Sequence, residues 1–107
     1  MISIEHARKA IKIASHYGEA RQGIKALEEL GELSQVIAKY LAGGTDKFPD
    51  FRKRFIEESA DVMLMLAQLS FLWNIDDEDI VKAVEAKIDR QTKRINKEKR
   101  RNGQIFF

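Results

Sequence analysis

The chain has 107 residues, 44% of them hydrophobic and 34% charged, with a formal net charge of +2. That is a globular composition, long enough for one domain with a core and too short for a second module. One proline and no cysteine exclude a disulfide scaffold and a thiolate metal site, and favour long helices in a reducing compartment.

The opening stretch MISIEHARKA lacks a basic segment followed by a long apolar run, so no signal peptide is expected and a cytoplasmic location is. Ser3 is a plausible N-cap for a first helix reaching about Tyr17, because Ile4, Ala7, Ile11 and Ala14 recur at helical intervals. Gly18 ends or bends that helix. A second runs from about Ala20 to Leu41 and stops at Gly43 and Gly44, and the Gly44 to Asp50 segment, with Pro49, reads as the one substantial loop.

Asp50 is the expected cap of a third helix ending near Trp73 and Asn74. Its C-terminal half is apolar nearly all round, yet it is too short to cross a bilayer and is interrupted by Gln68 and Ser70. A helix without a polar side must be covered on every side, which predicts an all-α, four-helix bundle-type chain whose core is completed by homo-oligomerisation.

Asp76, Asp77, Glu78 and Asp79 place negative charge at the start of a fourth helix, where the helix dipole favours it. Along that helix Ile80, Val84, Ile88, Gln91 and Ile95 form a narrow stripe, with Lys87 and Arg94 two turns apart on one edge. The pattern fades near residue 97, and the tail is expected to be flexible or an arm that docks on a neighbour through Ile105, Phe106 and Phe107. No repeat or second domain interrupts 1–107.

Two acidic clusters stand out: Glu28, Glu29 and Glu32, then Glu57, Glu58 and Asp61 a helix later. At about 100° per residue, Glu29 falls inside the apolar arc of its helix between Val36 and Tyr40, Glu32 lies on the border, and Glu28 points outside. Glu58 sits among Phe51, Val62, Met65 and Leu69, with Asp61 about 60° further round. A carboxylate aimed at an apolar seam costs several kcal/mol unless it is compensated.

Lys25 precedes Glu29 by four residues and Arg54 precedes Glu58 by four, so simple ion pairs are one compensation. A divalent cation is the other. Four converging carboxylates about 5 Å apart would repel by about 3 kcal/mol per pair at an effective dielectric of about 20. Oxygen-only ligation by Glu29, Glu32, Glu58 and Asp61 suits Mg²⁺, or Mn²⁺, better than Zn²⁺.

At these residues the sequence resembles the MazG-like all-α nucleotide pyrophosphohydrolases, which carry an ExxE pair followed on the next long helix by ExxD. The matching stretches are EELGEL, from Glu28, and EESADVMLML, from Glu57, within a likeness that covers about Gln22 to Ile95. The resemblance implies Mg²⁺-dependent cleavage of a nucleoside triphosphate between the α and β phosphates, in a homodimer or homotetramer, with Glu29, Glu32, Glu58 and Asp61 as catalytic metal ligands. Phosphoribosyl-ATP pyrophosphohydrolases and dimeric dUTPases look similar at the same carboxylates, so the pattern implies a reaction class and no particular base.

In that scheme Lys25 either neutralises a phosphate or pairs with Glu29. Lys87 and Arg94 either bind the outer phosphates or form a solvated helix edge, as does Arg90. Gln22 either touches a base or ribose or is a surface amide. Two competing readings are a nucleic-acid-binding module, since Lys82 to Arg101 hold nine basic and three acidic side chains, and a catalytically silent helical scaffold. The first leaves the inward carboxylates unexplained. No membrane partner is expected.

Overall fold

A computed structural model of the chain describes residues 2–103. These form three helices, α1 (Ile4–Lys47), α2 (Phe51–Leu72) and α3 (Asp77–Arg101). No strand occurs among the described residues. None of the helices is long and apolar enough to cross a membrane.

The anticipated first two helices run together as α1, which changes the expected count of four to three. No loop separates them, but the helical geometry breaks at Gly18, with φ 83° and ψ 170°. A side chain would be strained in that region of backbone space, so a single glycine turns the chain without a connecting segment. Ser3 caps α1 as expected, accepting a hydrogen bond from the His6 backbone N–H at 3.2 Å. Near the other end Gly44 again adopts positive φ, and the helix continues to Lys47, so the predicted loop shrinks to a turn at 48–50. Asp50 flanks α2 without making the predicted side-chain capping bond. Its φ of −86° and ψ of 8° differ from the extended geometry of an N-cap that aims its oxygen at the helix N–H groups.

Two compact units divide the chain after Ile75. In the first, α1 and α2 pack as an antiparallel hairpin. Partners climb one helix as they descend the other: Tyr40 stacks on Phe51 with ring centroids 4.0 Å apart, Gln22 meets Gln68, and Glu19 accepts the Trp73 indole N–H at 3.0 Å. The buried apolar side chains are few and mostly small, namely Ala10, Ala14, Ala26, Val36, Val62, Met65 and Leu69. Leu27, Ile24 and Met63 remain 71%, 70% and 69% exposed, far more than an apolar helix face ordinarily leaves in water.

The second unit contains α3. Asp76 caps it by accepting from the Glu78 N–H at 3.0 Å, and Asp77, Glu78 and Asp79 occupy its first turn as expected from the dipole. None of its residues is buried, and Ile80, Val84, Ile88 and Ile95 keep their stripe exposed. The helix persists to Arg101, beyond the point near 97 where a flexible tail was expected. Lys, Glu and Arg are good helix formers, and Lys99, Arg100 and Arg101 place positive charge at the negative end of the dipole. The arm expected at Ile105, Phe106 and Phe107 lies outside the described residues.

Candidate metal centre

The hairpin brings the two acidic clusters together because their helices run antiparallel and each turns one glutamate into the seam. Carboxylate oxygens of Glu29, Glu32 and Glu58 all lie within 4.8 Å of one another. Glu29 is 5% exposed and Glu58 7%, as their positions on the two helical faces predicted. Glu32 is half-buried at the border of the seam, whereas Asp61 is exposed at its margin and outside the group of three. Glu28 points away, with its side chain 56% exposed.

Each inward glutamate is satisfied on one side only. Lys25 Nζ lies 3.1 Å from Glu29 Oε1, and Arg54 Nη2 lies 3.3 Å from Glu58 Oε1. The second oxygens, Glu29 Oε2 and Glu58 Oε2, are buried with no hydrogen-bond partner among the described residues. An unsatisfied buried acceptor on a charged group is costly, and carboxylates with oxygens within 4.8 Å of one another also repel. The donor set is hard, anionic and drawn from two rigid helices, which fits Mg²⁺ or Mn²⁺.

Electrostatics at the margin follow the same crowding. The Glu32 carboxyl is raised above its ordinary 4.5, first by a hydrogen bond to Glu58 that its protonated form can make, then by the charge of Glu29. Asp61 is raised above 3.8, first by partial loss of hydration and then by Glu29 and Glu58, with Lys25 pulling the other way. Lys25 itself is raised by its contact with Glu29 and by the charge of Glu28. Both carboxyl shifts have the crowding of negative charge around Glu29 and Glu58 among their causes.

Comparison with protein families, with curated proteins and with solved structures finds no match to this chain. The chemistry of the site rests on its own residues and on the motif they spell.

Gln22 is neither a surface amide nor directed outward. It is 5% exposed, and its Nε2 donates to Gln68 Oε1 at 2.6 Å, with Gln68 only 2% exposed. Gln68 was visible in the sequence only as a polar interruption of an apolar run. A sharper signal was available in the spacing: Gln22 lies seven residues before Glu29, and Gln68 seven after Asp61, two turns along the same faces. In the second unit Lys87, Arg90, Gln91 and Arg94 line a shallow cationic cleft of about 170 Å³. Their side chains converge as the i,i+7 spacing predicted, on an exposed helix surface.

His6 and His16 take no part in the carboxylate group: His6 Nδ1 lies 2.9 Å from Ser3 Oγ, and His16 packs edge-on against Tyr17. Trp73 is half-exposed and, with Glu19, Ile24, Leu27, Leu30 and Leu66, lines an open apolar cleft of about 470 Å³.

Proposed function

We propose that the chain hydrolyses nucleoside triphosphates with Mg²⁺, releasing a nucleoside monophosphate and pyrophosphate. The observation that carries this reading is the pair of buried, unpartnered carboxylate oxygens on Glu29 and Glu58, within a three-glutamate group contributed by two helices. The ExxE and ExxD pattern, similar to that of MazG-like pyrophosphohydrolases, supports it from the sequence.

Glu29, Glu32 and Glu58 would hold the metal, with Asp61, exposed at the margin, as the fourth carboxylate of the set. A bound Mg²⁺ supplies charge neutralisation at the phosphoryl oxygens and activation of the attacking water. Whichever of the buried Glu29 and Glu58 stayed free of the metal would be the group to accept the water's proton. Lys87 and Arg94, on the cationic cleft of the second unit, carry fixed positive charge of the kind that suits phosphate oxygens. The buried Gln22 amide, two turns from Glu29 on the same face, is within a nucleotide's length of the carboxylates, at about 1.5 Å per residue.

The functional unit in this reading is a homodimer or homotetramer, because the exposed Ile24, Leu27, Met63, Val84 and Ile88 require covering. Incubation with a panel of nucleoside triphosphates and Mg²⁺, with products resolved by chromatography, tests the activity. Monophosphate with pyrophosphate supports it. Diphosphate with orthophosphate, or no turnover of any nucleotide, rejects it.

A further inference from the structure

The two cations that touch the buried glutamates are arranged alike. Each sits four residues before its glutamate on the same helix, binds Oε1 and leaves Oε2 bare. Each also has its side chain about half in water, 50% exposed for Lys25 and 48% for Arg54, against 7% and 9% for the carboxylates they pair with. A cation head that remains hydrated is weakly held and can be released at little cost, whereas the carboxylate beneath it cannot leave.

From this we propose that Lys25 and Arg54 are tethered counter-cations: they neutralise Glu29 and Glu58 while the centre lacks a metal, and become a paired anion site when Mg²⁺ takes over that neutralisation. The inference rests on the metal-centre reading above and adds Arg54, together with a link between metal and anion binding. Two positive charges facing a divalent cation a few ångströms away are repelled from it, which opposes metal binding. The same two charges next to a metal-bound phosphate chain are attracted to its oxygens. Metal and phosphate therefore bind with positive coupling, since the anion removes the repulsion that the metal creates.

The sign of the effect separates this role from simple positioning. If Arg54 served only to orient Glu58, its loss would weaken Mg²⁺ binding, because a loosened ligand costs affinity. If it is a counter-cation, its loss strengthens Mg²⁺ binding and weakens binding of the anion.

The experiment is calorimetric titration of the full chain and of the Arg54→Gln, Arg54→Lys and Lys25→Gln variants, first with Mg²⁺ alone, then with inorganic pyrophosphate at saturating Mg²⁺. The expected result is Mg²⁺ affinity roughly threefold to tenfold tighter in each Gln variant, from removal of one screened positive charge. Pyrophosphate should bind about tenfold weaker, and Arg54→Lys should match the parent in both titrations. Circular dichroism checks that each variant keeps its helices, and the two Gln variants test the idea at independent positions. Unchanged or weaker Mg²⁺ binding in both, or unchanged pyrophosphate binding, overturns the counter-cation role while leaving the metal centre standing. A parent chain that binds no Mg²⁺ removes both.

Discussion

Replacing Glu29 by Gln keeps the shape of the side chain and removes one charge from the crowded seam. Oxygens of Glu29 and Glu58 lie within 4.8 Å, so their repulsion at an effective dielectric of about 20 is about 3 kcal/mol. Lys25 and Arg54 already offset part of this, and both are half in water, which leaves a net gain of about 1 to 2 kcal/mol for the variant. For a chain of this size that corresponds to a melting temperature higher by about 4 to 10 °C in the absence of metal. Saturating Mg²⁺ should reverse the order. A ligand at about 100 times its dissociation constant adds about 2.7 kcal/mol to the parent, and the variant, with a ligand gone, should gain little. Differential scanning calorimetry in EDTA and in Mg²⁺, at one fixed protein concentration, reads both numbers. A Glu29→Gln protein that melts lower without metal and still responds fully to Mg²⁺ would show that this carboxylate is neither crowded nor a ligand.

Other perturbations extend the same reasoning. Glu28→Gln should leave Mg²⁺ affinity and turnover within about twofold of the parent, because Glu28 points to solvent and meets only Lys25 at 3.8 Å; a loss comparable to that of Glu29→Gln would mean the helix is rotated. The raised Glu32 and Asp61 values set a pH dependence. Below their ordinary values both carboxyls are protonated, folded or unfolded, and cost nothing. As pH rises the unfolded chain ionises first, so the metal-free fold loses stability until the raised values are passed, and the penalty then stays. The gain in melting temperature on adding Mg²⁺ should accordingly grow from acid towards neutral pH, and a gain that is flat across that range counts against proton and metal sharing one centre. Gly18→Ala should cost about 1 to 3 kcal/mol by denaturant unfolding, since nothing crowds the position but φ is 83°; an unchanged midpoint would mean that the helix straightens there at no cost. Leu27→Lys should shift size-exclusion elution towards a smaller species, and elution identical to the parent would place the subunit contact elsewhere.

Much of the centre was legible before any coordinates, for a simple reason. Helical periodicity is a local property, so the inward aim of Glu29 and Glu58 and the outward aim of Glu28 follow from the angle between neighbours on one helix. The Gly18 break was legible too, but not its consequence: a glycine can end a helix or swing it, and only the backbone angles distinguish the two. Contacts between helices were hidden because they depend on register. The seven-residue spacings put each amide on the face of its carboxylate, but nothing in either segment alone sets Gln22 opposite Gln68. Arg101 as the end of α3 was hidden by a different effect. The apolar stripe gives out near Ile95, and helix propensity with favourable end charges carries the last turns without burial. Asp50 shows the opposite failure, a residue of the right type whose backbone never takes up the capping geometry.

The hydrogen bond from Trp73 to Glu19 gives the molecule a built-in optical reporter. The sequence contains a single tryptophan, and its indole bridges the end of α2 to the residue beside the Gly18 bend. Tryptophan emission, excited beyond the absorption of Tyr17 and Tyr40, therefore comes from one place, the end of the hairpin away from the Tyr40 and Phe51 stack. Parting of the helix tips there would break the indole's bond to Glu19 and carry the half-exposed ring fully into water, a change in its emission that can be followed in real time without a label.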